Sequence, residues 1–502
     1  MGSNFGTESK ENDASKKLTE LNLDIEAKET IQTTFSISSF NNNSMENESF
    51  GSQENILNEE TVERKLSPRS TLIQFVDPLC NPKKPVKIQF SDISSAAFKL
   101  RDGIVRTTSI RSSSFSTMFG VDLFLKREYL HFTGSFKERG ARFALIRLNE
   151  EQKRIGVIAA SAGNHALALA YHGQQLGIPV TVVMPECAPL MKINSCDSFG
   201  AKVILHGLNI QECKLHAYKL AQENKQKYIN GFDNPDVIAG QGTIGLEILE
   251  EVKDVDAILV PVGGGGLIAG IALAVKTLKP EVSIIGIESE ICPSFANALN
   301  GTNDPLFPDQ SLADGLSVPN VGNNALLISQ GLIDQMITVS EGSIALAILR
   351  LIEVEKSVVE GGGAVGLAAF ISGKLDHLKG KRVVAILTGG NIDTTVLGRT
   401  IERGLAVDGR LIKFDVVVSD RPGGIAELTA EIAKTGASIK EIFHERAWLS
   451  ANIHSVMVKI VCETRGEQHV RELIEKLMKK YKQINFPKSN SIFYGMNNLV
   501  NE

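Results

Sequence analysis

A lysine that can work as a neutral amine stands in the run Thr133-Gly134-Ser135-Phe136-Lys137-Glu138-Arg139-Gly140-Ala141. Ser135 followed three residues later by Glu138 has the pattern of a capping box, which predicts that a helix starts here. Lys137 then falls in the first turn, where the helix dipole disfavours an added positive charge. An amine disfavoured as an ammonium is available as the nucleophile that forms a Schiff base with a carbonyl. Taken alone, the same run also describes a solvated lysine on a helix, so the reading depends on its companions.

Three further runs supply them. Ser161-Ala162-Gly163-Asn164-His165 sits between an apolar strand pattern and a helical one. Its backbone N–H groups at a helix start suit a carboxylate, and Asn164 can offer an amide to a ring hydroxyl. A plain strand-to-helix turn capped by Ser or Asn fits these residues equally well. Gly263, Gly264, Gly265 and Gly266 follow another strand, and consecutive glycines let several N–H groups converge on one phosphate. In Thr388-Gly389-Gly390-Asn391, a hydroxyl at a strand's carboxyl end can meet a heterocyclic nitrogen. Gly264, Gly266 and Ala269, with Glu288 ending the next strand, also match a dinucleotide-binding fingerprint, as in a dehydrogenase. That match is short and leaves Lys137 and the asparagine loop without a role.

The elements that must position these residues are legible as alternating patterns. Short aliphatic runs at 121–126, 156–160, 180–184, 203–205, 257–262, 283–288 and 383–387 alternate with helical stretches. Such a chain specifies an α/β fold with mostly parallel sheets covered on both faces. Ligands in such sheets sit where strands end and helices begin, which is where the four motifs fall.

The chain is long enough for about three domains, and at 43% hydrophobic content it can build a large core. A net charge of −5 gives no general attraction to nucleic acid or anionic lipid, so small molecules are the expected partners. Cys80, Cys187, Cys196, Cys213, Cys292 and Cys462 lack disulfide or ligand spacing and read as reduced thiols. No apolar run approaches the roughly 20 residues of a membrane span. Residues 1–68 are polar, read as a disordered tail, and are too acidic for a transit peptide. A cytoplasmic enzyme is expected, with no membrane or nucleic-acid partner.

Together the four motifs resemble those of the serine/threonine dehydratase family, within the tryptophan-synthase-β-like, fold type II class of pyridoxal-phosphate enzymes. The resemblance spans residues 90–405, with the motifs in the family's order and spacing. It implies two parallel-sheet subdomains, the smaller at about 145–232, and pyridoxal 5'-phosphate as cofactor. It also implies that Lys137 is the Schiff-base lysine, that Phe136 packs beside the cofactor and that Asn164 meets the ring hydroxyl. Gly263, Gly264, Gly265 and Gly266 would hold the phosphate, Thr388 would face the pyridine nitrogen, and Glu360 matches the family's active-site glutamate. Ser161, Ala162, Gly163 and His165 would seat the substrate carboxylate. Serine racemases of the family carry serine where this chain has Ala162 and asparagine where it has Phe232; both departures point to dehydratase. With serine at Ser294, the acids that the family's divalent metal needs near Glu288 are incomplete, and no metal is expected.

Beyond residue 411 the pattern changes. Ile412, Phe414, Val416 and Val418 alternate with Lys413, Asp415 and Ser419, the period of a strand with one wet face. Further elements at 425–434, 438–443, 454–462, 467–480 and 490–493 give the order β-α-β-β-α-β of a ferredoxin-like α+β domain. With its Asp420-Arg421-Pro422-Gly423-Gly424 turn, the segment 411–494 resembles an ACT domain, which implies amino-acid sensing through Asp420, Arg421 and Gly423 and pairing across a homo-oligomer. The expected activity is elimination from L-threonine or L-serine, giving 2-oxobutanoate or pyruvate plus ammonia. Racemase or β-replacement chemistry on the same fold, and an inactive amino-acid sensor, are the alternatives.

Overall fold

The computed structural model describes residues 77–302, 309–447 and 453–486. The tail at 1–68 and the strand expected at 490–493 lie outside them. The chain enters a first sheet with β1 (Ser109–Arg111) and β2 (Asp122–Lys126). It leaves for a second sheet with β3 (Val157–Ala160), β4 (Val180–Met184), β5 (Lys202–Leu205) and β6 (Lys227–Tyr228). It returns with β7 (Ala257–Pro261), β8 (Ser283–Ser289), β9 (Gln335–Val339) and β10 (Arg382–Ile386). The strand orders are β1-β2-β10-β7-β8-β9 and β5-β4-β3-β6. Every pairing in these two sheets is parallel except β1 with β2. Each residue of β4 and β7 is buried, the signature of strands covered on both faces.

The helices that bear on the site are α1 (Lys137–Ile146), α2 (Asn164–Leu176), α3 (Pro235–Glu251), α4 (Gly266–Leu278) and α5 (Gly361–Ile371). Glycines let three of them pack backbone to backbone. A Cβ on Gly240 of α3 would lie 2.7 Å from the Arg139 carbonyl of α1, and one on Gly270 of α4 would lie 2.4 Å from the Ile238 carbonyl of α3. The α1–α3–α4 stack therefore fixes the lysine helix against the helix that follows the four glycines.

The C-terminal module is a separate antiparallel sheet, β12-β13-β11-β14, formed by β11 (Leu411–Ser419), β12 (Ser438–Glu445), β13 (Ser455–Glu463) and β14 (Ile484–Asn485). Helices α6 (Gly424–Ala433) and α7 (Glu467–Lys480) complete the ferredoxin-like order. Ile412, Phe414, Val416 and Val418 are buried and their neighbours are not, as the period of two required. Among the described residues the sheet is completed by β14. The chain turns back directly after α7, Val417 N–H donates to the Gln483 carbonyl at 2.9 Å, and β14 pairs with Asp415 and Val416.

Candidate active site

The four motifs meet in one place, and backbone bonds tie two of them to each other and to the Glu360 segment. Phe136 N–H donates to the Thr388 carbonyl at 3.0 Å, Gly390 N–H to the Gly134 carbonyl at 2.9 Å, and Glu360 N–H to the Gly389 carbonyl at 2.9 Å. Ser135 and Gly389 form an isolated antiparallel bridge. That bridge overturns the expected capping box. Ser135 is extended against Gly389, its buried hydroxyl has no partner among the described residues, and α1 starts only at Lys137. Glu138 instead reaches back to Thr133 N–H and bonds His172 of α2 at 3.2 Å.

Lys137 keeps partial solvent access, and its Nζ donates to the Gly231 carbonyl at 2.6 Å. Nζ also lies 5.1 Å from the centroid of the Phe136 ring. Desolvation lowers its pKa to about 8, against the attraction of Glu360, which favours the charged form. Behind it, Arg139 is fully buried and bonds two acids at once. It donates to Glu128 at 2.7 and 2.8 Å and to Glu247 of α3 at 2.6 and 2.8 Å. These bonds lock α1 to the chain before it and to α3.

Gly231 leads directly to Phe232, whose ring lies over the glycine run. A Cβ on Gly264 would come within 2.4 Å of that ring, one on Gly265 within 2.0 Å of the Phe295 ring, and one on Gly266 within 2.0 Å of the Phe232 carbonyl. Gly265 has a φ of +91° and immediately precedes α4. Only glycine fits these positions, and the first-turn amides of α4 have no intrahelical acceptor. The result is a buried backbone cradle for an anion, packed against Phe232, the residue next to the lysine's partner Gly231.

Ser161, Ala162 and Gly163 join β3 to α2. Ser161 Oγ accepts from Gly163 N–H at 3.3 Å, and a Cβ on Gly163 would meet nothing within 4 Å, so the turn faces open space. The imidazole of His165 points away from this turn, with Nε2 3.1 Å from the Ile229 carbonyl. Burial, with Lys137 nearby, pushes its pKa down to about 3, so the ring is neutral. His165 can therefore serve this seat only through its backbone.

Asn164 Nδ2 donates to both Glu360 oxygens, at 2.8 and 3.1 Å. Burial raises the Glu360 pKa, while the Asn164 bond opposes the rise. Thr388 is buried at the end of β10. Two residues that the motifs did not single out belong here as well. Gly231 holds the lysine, and Asn391 bonds both Thr133 and Asn164. Asn391 closes the Thr-Gly-Gly-Asn run, so its position was visible in the sequence; Gly231 had no signal at all.

Glu288 does not serve a ribose. Its carboxylate accepts from Phe295 and Ala296 N–H at 2.8 and 3.0 Å, and burial raises its pKa to about 7. Ser294 Oγ donates to the Val318 carbonyl at 2.7 Å. In the C-terminal module, Asp420 is held by Arg446 at 2.7 and 2.9 Å, Arg421 pairs with Glu427 at 2.9 Å, and Gly423 opens α6 with a φ of +94°.

Residues 100–389 match the model of a family described as pyridoxal-phosphate dependent enzyme. An L-threonine ammonia-lyase of Thermotoga maritima is 42% identical over 394 residues, 78% of this chain and 98% of that protein. The processed form of threonine deaminase isoform 2 from Solanum lycopersicum superposes with a TM-score of 0.60 at 35% identity, over 64% of this chain and 95% of that one. A serine racemase from Dictyostelium discoideum superposes with a TM-score of 0.58 at 34% identity, over 61% and 100%.

Proposed function

The chain belongs to the pyridoxal-phosphate dependent enzyme family, and we propose that it is an ammonia-lyase that removes water and ammonia from L-threonine or L-serine. The observation that carries this reading is the Lys137 amine, lowered to about 8 and held at Gly231 beside the glycine cradle. The residues fit the cofactor. Side chains are sterically barred from Gly264, Gly265 and Gly266, which leaves the amides of the cradle to a phosphate. Phe136 lies beside Lys137, Asn164 presents an N–H₂ group, and the buried Ser135 hydroxyl awaits a partner.

When bound, pyridoxal 5'-phosphate supplies an electron sink for the pair left as a Cα–H bond breaks. Lys137, as a free amine, takes the Cα proton and then, as an ammonium, can return a proton to the departing β-hydroxyl. The α2 amides at Asn164 and His165, with Ser161, Ala162 and Gly163, hold the substrate carboxylate and so present Cα to the lysine. Thr388 would face the heterocyclic nitrogen, where a hydroxyl, unlike a carboxylate, would not stabilise a ring proton. That favours rapid loss of the β-hydroxyl over prolonged charge storage. The product released hydrolyses to 2-oxobutanoate or pyruvate plus ammonia. An assay of ketoacid and ammonia against a panel of L- and D-amino acids tests this. Turnover of L-threonine or L-serine is expected; D-serine as the main product from L-serine would overturn it in favour of racemisation.

The finer reading extends to regulation and setting. The C-terminal module is an ACT-like sensor, its effector carboxylate received at the start of α6 near Asp420, Arg421 and Gly423, with the module pairing in a homo-oligomer. No helix among the described residues is long and apolar enough to cross a membrane, in keeping with a cytoplasmic setting.

A further inference from the structure

We infer that Asn391 is a positioning residue that fixes which way the Asn164 amide faces, so that the bound cofactor's ring oxygen meets a hydrogen-bond donor. The inference rests on the cofactor reading above, and it follows from the polarity of one short chain of bonds. Asn391 Nδ2 donates to the Thr133 carbonyl at 2.7 Å and to Asn164 Oδ1 at 2.8 Å. Asn164 Nδ2 donates onward to the Glu360 carboxylate at 2.8 and 3.1 Å.

One end of that chain is fixed as an acceptor, because the Thr133 backbone carbonyl has no proton to give. An amide group carries its two donors on one side and its acceptor on the other, so orienting one atom orients the whole group. Thr133 obliges Asn391 to turn its N–H₂ inward, and both hydrogens are then engaged. Asn391 in turn obliges Asn164 to turn its oxygen toward Asn391, which leaves the Asn164 N–H₂ facing Glu360 and the site. Were Asn391 reversed, its oxygen would stand 2.7 Å from the Thr133 carbonyl, acceptor against acceptor.

The surrounding backbone keeps Asn391 in place. Gly134, with a φ of +74°, passes so close that a Cβ there would lie 2.5 Å from Asn391 Oδ1. The Gly390 N–H bond to the Gly134 carbonyl sets the same spacing from the backbone. The loop that leads into Lys137 thus sets the sense of an amide on α2 through a residue on a third segment. Asn391 touches neither the reacting atoms nor the amine; its effect passes through Asn164.

Four proteins test this: wild type, Asn391→Asp, Asn164→Ala and Asn391→Asp with Asn164→Ala. Asn391→Asp keeps the shape and removes both donors, so Asn164 is expected to reverse and turn its oxygen on the ring. Each apoprotein is titrated with pyridoxal 5'-phosphate, and the visible absorbance of the bound cofactor is followed against pH. Asn391→Asp is expected to weaken cofactor binding about tenfold to a hundredfold, the usual scale for opposing an unpaired polar group. It is also expected to move the pH midpoint of the absorbance change. In the Asn164→Ala background the same substitution is expected to change affinity less than twofold and leave the midpoint alone. Equal effects in both backgrounds, or an unshifted wild-type-like titration in Asn391→Asp, would overturn the inference. Failure of wild type to bind the cofactor would instead remove the functional reading on which it rests. Thermal unfolding of the apoproteins gives a control, since a merely structural role would lower the melting temperature equally with or without Asn164.

Discussion

At Lys137, burial and Glu360 act in opposite directions, and burial prevails: the amine titrates near 8. The sign follows directly. Because the pKa is lowered from 10.5, the reactive free amine accumulates as pH rises through about 8, well before an ordinary lysine would lose its proton. Cofactor uptake by the apoprotein is therefore expected to accelerate about tenfold per pH unit below that point and level off above it. A rate still climbing in that way up to about pH 10 would refute the lowered pKa. Ala162, beside the open turn at Gly163, is where a hydroxyl would supply the second acid that racemisation requires. Ala162→Ser is expected to form D-serine from L-serine while dehydration continues, which chiral analysis of the products would show; D-serine from wild type but none from the variant would contradict it. The helix at Lys137 was legible in the sequence, but its start was assigned to a capping box, whereas Ser135 pairs with Gly389 and no side chain caps the helix. Asn391 was in view as part of a motif, but its role depends on the direction of its bonds, which spacing does not encode.

Among the elements, α1 carries the lysine and is held by Arg139 to Glu128 before it and to Glu247 of α3. Burial pushes the Glu128 carboxyl up, yet Arg139 and His131 outweigh it and hold the group well below its ordinary range. Arg139→Met would remove the cation shared by Glu128 and Glu247, leaving Glu247 only Lys126 at 2.7 Å and Glu128 only His131 at 2.9 Å. A loss of about 3–5 kcal/mol is expected, since removing one partner strands buried charge. Thermal or urea unfolding of the apoprotein measures it, and a change below about 1 kcal/mol would show that the network adds little. The long parallel strands were legible because continuous aliphatic runs mark burial on both faces. β1, β6 and β9 were not. β1 has three residues and β6 two, while β9, Gln-Met-Ile-Thr-Val, is only partly buried at the sheet's edge. A five-residue π-helical turn, Leu351–Glu355, also escaped, because its wide turn comes from packing and not from periodicity.

That turn matters for the whole molecule, because it lies between the C-terminal module and Glu360. Glu353 bonds Arg350 at 2.8 Å and Arg410 at 2.6 Å, and Asp408 bonds the same two arginines, with Arg410 at 2.7 Å. Glu355, two residues on, bonds Arg127 at 3.0 Å. A signal from the module has a physical route here only if an effector binds two arrangements unequally, typically by about 1–3 kcal/mol. Titration of the full-length enzyme with isoleucine, valine and other amino acids is expected to change turnover. Gly423→Val, which forces a branched residue into a φ of +94° at the start of α6, should abolish the response and leave basal turnover within about twofold. Indifference of the wild-type enzyme to every amino acid would leave the module a structural role alone. The order of the module was readable from a period of two and two amphipathic helices, whereas the ion ring that joins it to the catalytic part was not.

Colour and turnover are both expected to depend on one amine, that of Lys137. Lys137→Ala should be measured for both the visible absorbance of the purified protein and the production of ketoacid from L-threonine and L-serine. Wild type is expected to be yellow and active, and the variant colourless and without turnover while retaining the wild-type fold by circular dichroism. A Lys137→Ala enzyme that still eliminates water and ammonia at the wild-type rate would contradict the assignment at its centre.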